Sequence, residues 1–373
     1  MLKFLRASAV LMGTIVGVGI FGLPYIASKA GFLVVLSYFL LMILVVTVTH
    51  LMFARLVAAE KNCLHLPGFV KKYFGKKWEK VSFLIFGLGI TAALLAYMII
   101  GGEFLSLFLA PYFGGGPAVY TLVFFVFAAA LIYRGVRAVC NAEIAFFTIF
   151  LVILVIFLFK AAPFFNVDNL KTVDLGFLTF PYGVILFSLW GAETIPEVEE
   201  AAGGSKRIMK WAIISSILFS ALIYLSFIFF VLGVSGSQTS TDAISGILAV
   251  LDGRILSFGY IFGILTCFTS FLTLGLVLKK TLWQDLSLGK NLSWFLACFL
   301  PLFLFLLGFR EFLDIIGLSG ALAIGFEGIM IVFLYRKFLQ RKLSSKMSTL
   351  GYLLPLLFII GMIFEFFYFF FAK

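Results

Sequence analysis

Charged side chains are scarce in this 373-residue sequence, where Asp, Glu, Lys and Arg together make up 12% of the residues. A soluble globular domain carries about a quarter charged residues, so the composition excludes an ordinary soluble protein. Histidine is rarer still, with His50 and His65 alone. The four cysteines stand singly without a CxxC pair, which supports neither a disulfide framework nor a metal site.

Apolar runs take the place of the missing charges. Hydrophobic residues make up 63% of the sequence, and a membrane-spanning helix needs about 20 of them in succession. The pattern therefore predicts an all-α integral membrane protein with eleven transmembrane helices. The predicted spans are 7–29, 31–57, 81–109, 117–136, 138–161, 177–199, 206–234, 254–279, 291–309, 312–338 and 348–371.

The basic residues are distributed unevenly among the predicted loops. Most of the 28 Lys and Arg residues fall in alternate loops, and basic loops favour the cytoplasmic side. We therefore expect a multi-pass protein of the cytoplasmic (inner) membrane with its N terminus inside and its C terminus outside. The net charge of +11 then reflects topology, and no nucleic-acid partner is expected.

Two segments outside the spans have helical patterns. Residues 65–80 combine aromatic residues with a lysine cluster, which predicts an interfacial helix at the inner leaflet. Residues 240–253 begin with a helix-capping signal and predict a short external helix. This external helix either packs on the outer face or acts as a lid.

The first predicted span contains several helix-breaking residues. The stretch LMGTIVGVGIFGLPY includes Gly13, Gly17, Gly19, Gly22 and Pro24. Gly costs about 1 kcal/mol in a helix and Pro about 3 kcal/mol. Close helix packing through small residues is one interpretation. The density of breakers favours a locally unwound helix, whose free amide and carbonyl groups line a buried cavity.

The sixth predicted span is interrupted in a similar way. In FSLWGAETIPEVEEA, an apolar helix meets Gly191, Glu193 and Pro196. A mid-span carboxylate costs about 2.5–3.5 kcal/mol, so Glu193 is a candidate functional residue. Secondary transporters commonly consist of two inverted repeats whose broken helices form the site at the membrane midplane. We therefore predict a single transporter domain with five-helix repeats at about 7–161 and 177–338 and an extra helix at about 348–371.

The polarity of a broken helix predicts its ligand. The half-helix that starts after the break exposes N–H groups at its positive end, which suits a carboxylate. The carbonyl end of the other half suits an ammonium group or a cation. An amino acid carries both charges, although another small zwitterion fits as well.

These stretches resemble a known family. GTIVGVGIFGLPYIASKAGF (13–32) resembles the first-helix signature of the amino acid/polyamine/organocation superfamily, whose fold is leucine-transporter-like. Its GxGIxGLPY and KAG motifs are similar to those of the bacterial aromatic and hydroxy amino acid permeases, which include tryptophan and tyrosine permeases. TSFLTLGLVLKKTLWQDL (269–286) resembles their eighth span. WGAETIPEVEEA is instead similar to general amino acid permeases or to eukaryotic-type amino acid transporters, which leaves the substrate open between an aromatic and another neutral amino acid.

The resemblance implies a secondary active amino acid transporter, an ion-coupled symporter that imports its substrate by alternating access. It implies that the backbone at the first break meets the substrate carboxylate and that the sixth span lines the opposite side. Trp190 is then either an aromatic gate or a packing residue. The residues assigned to the substrate are Thr14, Gly17, Val18, Gly19, Ser188, Trp190 and Gly191.

Two kinds of coupling ion are implied. In the resembling fold a sodium ion lies between the first break and the eighth span, here the carbonyls of Gly13 and Val16 and the hydroxyls of Thr269 and Ser270. Such hydroxyls equally satisfy helix backbone. The resembling permeases are proton symporters, which favours a proton, and Glu193 is its first candidate carrier. Four other intramembrane carboxylates are rivals: Glu103, Glu143, Glu327 and Glu365.

Other functional classes are weighed against this one. A sodium-coupled symporter, an amino acid exchanger and a transporter-like amino acid sensor share the same features. An intramembrane enzyme needs a catalytic constellation and a channel needs a repeated filter, and the sequence shows neither. We expect no cofactor beyond the coupling proton or sodium ion. The expected partners are an amino acid and the lipid bilayer, with the oligomeric state left open.

Overall fold

A computed structural model describes residues 2–60, 64–134, 162–247, 253–342 and 349–372, with residues 149, 151, 152, 154–156, 159 and 160. Every regular element in these ranges is helical. The predicted fifth span, 138–161, lies mostly outside the described residues, and so does Glu143.

The α-helices of the described ranges are named in chain order. They are α1 (Leu2–Ile15), α2 (Gly19–Ala30), α3 (Phe32–Val57), α4 (Leu66–Phe74), α5 (Lys76–Phe113), α6 (Pro117–Arg134), α7 (Pro181–Leu189), α8 (Ile195–Ala202), α9 (Lys206–Ser235), α10 (Gly253–Lys280), α11 (Lys290–Leu306), α12 (Phe312–Leu318), α13 (Gly325–Lys342) and α14 (Thr349–Phe367). Short π-helical segments at Thr281–Asp285, Ser319–Ile324 and Tyr368–Ala372 continue α10, α12 and α14.

Most of these helices have the length and composition of membrane spans. Seven of the described segments qualify, or eight when α1 and α2, bent by 53°, count as one broken span. The apolar α11 has 17 residues, and α7 and α8 are the two short halves of another interrupted span. Together they account for every predicted span except the fifth.

The helices around α1 form the centre of the bundle. α1 packs against α8 and α9, and α10 packs along α5. α14 lies at the periphery, where it exposes large hydrophobic side chains such as Leu353, Leu356 and Ile360. This exposure suits a helix that faces lipid, where apolar surface carries no penalty.

The predicted interfacial helix is shorter than expected. α4 ends at Phe74, and Gly75 turns the chain with a φ of +90°, a conformation that favours glycine. Residues 76–80 then form the start of α5. Within α4, Phe69 and Tyr73 are buried while its lysines are exposed, as an amphipathic helix requires.

The predicted external helix is wrong for the part of 240–253 that is described. Residues 240–247 contain a single 3-10 turn, Ser245–Ile247. The Asp242 carboxylate accepts hydrogen bonds from the Ser240 hydroxyl and from the hydroxyl and N–H of Ser245. Local side-chain bonds of this kind compete with helix formation. Residues 248–252 lie outside the described ranges.

A buried cluster of charges joins three elements at one end of the bundle. The N–H of His65, just before α4, donates to Asp285 Oδ2 over 3.2 Å. His65 Nε2 lies 3.4 Å from Glu197 Oε1 of α8. Lys280 Nζ donates to the same Glu197 oxygen over 3.0 Å. The cluster therefore ties the segment before α4 to the sixth and eighth spans.

Candidate substrate site between two broken helices

The first interruption separates α1 from α2. α1 ends at Ile15 and α2 begins at Gly19, so Val16, Gly17 and Val18 are unwound. The Gly17 N–H turns back to the Ile15 carbonyl over 2.9 Å. In the described ranges, the N–H groups of Val18 and Gly19 donate to no other residue. They stand at the N-terminus of α2, where free amides and the helix dipole favour an anion.

The second interruption separates α7 from α8. Trp190 is extended, with φ −80° and ψ 143°, and ends α7. The Gly191 N–H donates to Nε2 of His50 on α3 over 3.1 Å, so this ring nitrogen carries no proton. A 3-10 turn, Ala192–Thr194, leads into α8, whose first turn contains Pro196. Proline fits there because that position has no N–H partner to lose.

The two interruptions contact each other directly. A β-carbon on Gly19 would lie 2.2 Å from Oγ and 3.1 Å from Cα of Ser188. A β-carbon on Gly191 would lie 3.0 Å from Cγ1 of Ile15. The hydroxyl of Tyr224 on α9 lies between the two breaks, within hydrogen-bonding distance of the carbonyl oxygens of Ile15 and Ser188. Tyr224 thus holds the carbonyl ends of both interrupted helices.

A small cavity lies beside this crossing. Its volume of about 20 Å³ leaves room for one water molecule, so an amino acid would have to displace the lining side chains. The wall comes from both broken spans and from α5, α10 and the π-helical segment after α12. The lining residues are Thr14, Ile15, Gly19, Gly89, Ala93, Tyr97, Phe187, Trp190, Glu193, Leu274 and Ile324. None of them is basic, and Glu193 is the one carboxylate among them.

The structure brings the predicted substrate residues together around the cavity. All seven are buried. Three of them line it: Thr14, Gly19 and Trp190. The other four lie in the surrounding backbone of the two breaks: Gly17, Val18, Ser188 and Gly191. Their role in binding stays a prediction.

Two carboxylates lie at the site. Glu193 lines the cavity, and Glu327 of α13, 2% exposed, lies directly behind Trp190. The Trp190 indole N–H donates to Glu327 Oε2 over 3.2 Å, and Glu327 Oε1 has no partner in the described ranges. Neither carboxylate forms an ion pair with a described basic residue.

Two of the remaining rivals are described, Glu103 and Glu365, and neither lines the cavity. Glu103 of α5 is half-buried and lies near Asp242. Glu365 of α14 is buried against α7 and α12, where β-carbons on Gly183 and Gly317 would lie 3.0 and 2.7 Å from its carboxylate. Glu193 and Glu327 are therefore the described candidates for chemistry at the cavity.

The predicted sodium ligands are brought together only in part. The Ser270 hydroxyl donates to the Gly13 carbonyl over 3.1 Å and so joins α10 to α1. The Thr269 hydroxyl bonds within its own helix instead, to the carbonyls of residues 265 and 266. In the described ranges, no hydrogen bond joins Val16 to either hydroxyl.

Three further side chains at the site were not predicted from the sequence. His50 and Tyr224 bond to the two breaks, and the Tyr97 hydroxyl lies against Gly17, 2.5 Å from where a β-carbon would stand. Each lies inside a continuous helix, α3, α5 or α9, and not at an interruption. In the sequence, each of the three is recognisable only as a polar side chain in an apolar helix. That pattern does not reveal which residue the side chain contacts.

The pattern of the tryptophan/tyrosine permease family matches residues 1–368 of the chain. The chain belongs to this family. Two known proteins are similar to the permease over most of its length, each 23% identical. The tyrosine-specific transport system 1 of Haemophilus influenzae aligns over 352 residues, 89% of this chain and 85% of its own. Glutamine transporter 2 of Aliivibrio fischeri aligns over 359 residues, 90% of each.

Solved transporter structures share the fold of the permease. MhsT in complex with L-phenylalanine superimposes with a TM-score of 0.71 at 15% identity, covering 99% of this chain and 98% of MhsT. A manganese transporter of Eremococcus coleocola gives 0.70 at 14% identity, with 99% and 88% covered. The predicted leucine-transporter-like fold and the resemblance to tryptophan/tyrosine permeases are confirmed. The protein is a multi-pass membrane transporter of amino acids, and family membership sets the enzyme alternative aside.

Proposed function

We propose that the permease is a proton-coupled importer of an aromatic or other neutral amino acid that works by alternating access. The observation that carries this proposal is the placement of Glu193. Glu193 lines the cavity between two broken helices, and no described basic residue pairs with its carboxylate. A group that gains and loses a proton there changes the charge of the cavity as the two helices rearrange.

The residues that line the cavity support a neutral amino acid as the substrate. The free amides of Val18 and Gly19 suit the substrate carboxylate. The aromatic rings of Tyr97, Phe187 and Trp190 form the apolar part of the wall. The names of the two relatives point to different neutral substrates, tyrosine and glutamine, and MhsT was solved with phenylalanine. The proposal therefore covers neutral amino acids and not one of them.

Coupling follows from the cost of an unpaired charge in a site with room for only one water molecule. An ionised carboxylate buried without a partner is strongly unfavourable. A proton on Glu193 removes that cost when the cavity closes around the substrate. Opening to the other side admits water, which stabilises the charged form and lets the proton leave with the substrate.

The proposed membrane topology follows from the distribution of basic residues among the loops. We infer that the permease lies in the cytoplasmic membrane with its N terminus inside and its C terminus outside. Exposed Lys71 and Lys72 on α4 would then lie at the inner headgroups, which are anionic. Single cysteines introduced at Lys3 and at Lys373, and labelled from either side of the membrane, test this orientation.

Uptake into proteoliposomes tests the coupling ion. An inward proton gradient should drive accumulation of radiolabelled tyrosine or glutamine without sodium. Glu193→Gln should abolish this accumulation and leave counterflow exchange partly intact. Glu103→Gln is the matched control, because Glu103 is a half-buried intramembrane acid that does not line the cavity.

Each other outcome identifies an alternative. Normal proton-driven uptake by Glu193→Gln would remove Glu193 from the mechanism. Accumulation that requires a sodium gradient would identify a sodium symporter. Exchange without net uptake would identify an exchanger, and binding without any flux would identify a sensor.

A further inference from the structure

The buried Glu327 carboxylate has a hydrogen-bond partner for only one of its two oxygens within the described ranges. Its Oε2 accepts the Trp190 indole hydrogen bond, while Oε1 has no partner in the described ranges. The side chain is 2% exposed and forms no ion pair with a described residue. A buried polar atom without a partner is rare because it forfeits its hydration without compensation.

The unpartnered oxygen lies next to the cavity wall. A β-carbon on Gly89 would stand 3.6 Å from Glu327 Oε1, and Gly89 itself lines the cavity. Because residue 89 has no side chain, nothing of its own separates the carboxylate from the space in front of it. Trp190 and Ile324, which also line the cavity, flank the carboxylate: Trp190 bonds to it, and Ile324 lies three residues before it on the same helical face.

Within the substrate cavity proposed above, on which this inference rests, we propose that Glu327 determines specificity by accepting a hydrogen bond from the substrate side chain. The ligand class is a neutral amino acid whose side chain ends in a hydrogen-bond donor, a phenol O–H or a carboxamide N–H. The α-carboxylate then lies at the amides of α2 and the donor reaches the wall formed by α5 and α13. Substrate that lacks the donor leaves Oε1 unpaired, and sites built to bond a polar group reject such analogues strongly.

Equilibrium binding to the purified permease, without any ion gradient, tests this proposal. Tyrosine and phenylalanine differ by one hydroxyl, and glutamine and methionine have similar lengths but differ in the terminal donor. The wild type should bind at least one donor ligand about tenfold or more tightly than its matched analogue. Glu327→Met should remove this preference by weakening the donor ligand while the affinity for the analogue stays within about threefold.

Two variants separate specificity from a structural role. Trp190→Phe removes the indole N–H and keeps Glu327 Oε1. The affinities for the donor ligand and for its analogue can then both fall while the ratio between them stays the same. Gly89→Ala places a methyl group in front of Oε1 and should reduce the ratio with Glu327 in place. If Glu327→Met does not fold, the ratio of donor to analogue affinity in the wild type and its change in Gly89→Ala still test the proposal.

Two results would overturn the proposal. One is a wild type that binds each analogue as tightly as its donor partner. The other is a Glu327→Met protein that loses donor and analogue affinity to the same extent. A permease that binds none of the four ligands contradicts the proposed function instead.

Discussion

A methyl group at Gly19 should disrupt the contact between the two broken helices. The β-carbon of Gly19→Ala would stand 2.2 Å from Oγ, 2.9 Å from Cβ and 3.1 Å from Cα of Ser188. A rotation of the serine side chain can move Oγ but leaves its Cβ and Cα in place. The variant must therefore push the start of α2 away from the end of α7.

The expected cost follows from the size of this overlap. Extra carbon in a well-packed interior destabilises a protein by about 1–3 kcal/mol. The displaced backbone also includes the free amides of Val18 and Gly19 and the carbonyl of Ser188 that Tyr224 contacts. We expect the thermal midpoint of the purified permease to fall by several degrees and substrate uptake to fall at least about tenfold, because small displacements at a site are costly.

Gly13→Ala is the matched control on the same broken span. A β-carbon on Gly13 meets no atom within 4 Å, and the residue lies inside α1. Alanine is about 1 kcal/mol better than glycine in a helix, so this variant should be neutral or slightly stabilising. Differential scanning fluorimetry and proteoliposome uptake on both variants give the comparison.

A double variant tests the cause. Ser188→Gly removes the side-chain atoms that the new methyl group meets, so it should restore part of the stability and uptake of Gly19→Ala. The reasoning is refuted if Gly19→Ala behaves like Gly13→Ala, since the two breaks would then not be in contact in the working protein.

Two other contacts give separate predictions. Tyr224→Phe removes the hydroxyl shared by the two breaks and should destabilise the protein by about 1–3 kcal/mol in thermal unfolding, and an unchanged midpoint would contradict this. Burial lowers the pKa of His65, but hydrogen bonds and charges of Asp285 and Glu197 outweigh this effect and raise it from 6.5 to about 9. The folded state therefore holds the imidazolium proton more tightly, which contributes roughly 3 kcal/mol below pH 6.5 that is lost as the pH rises to about 9. His65→Gln should flatten the pH dependence of the midpoint over this window, and a wild-type profile in that variant would contradict the assignment.

The positions of the two broken spans followed from the sequence, but the unwound residues did not. Of the five breakers in the first span, Gly17 alone lies in the gap, while Gly13, Gly22 and Pro24 lie inside α1 and α2. Gly22 is explained by packing, because a β-carbon there would stand 2.9 Å from Leu313 of α12. Composition shows where glycine is needed and does not separate an unwound turn from a close helix contact.

Side chains that complete the site could not be placed from the sequence. His50 reaches Gly191 across 141 residues, and Tyr224 reaches Ile15 across 209 residues. Hydropathy and helix period define spans and faces, whereas these pairs depend on how the spans pack. Glu327 stood among several rival acids for the same reason, and its bond to Trp190 distinguishes it from the others.

The hydroxyl groups at the breaks bear on the choice of coupling ion. A sodium ion needs several oxygen lone pairs directed at one point, and the carbonyl ends of the broken helices are the natural source. In this permease, Ser270 donates to the Gly13 carbonyl, and the Tyr224 hydroxyl lies between the carbonyls of Ile15 and Ser188. A cation would have to turn these donors away and replace bonds that hold the breaks together. A proton on a carboxylate requires no such rearrangement, which supports our proposal that Glu193 carries the coupling proton.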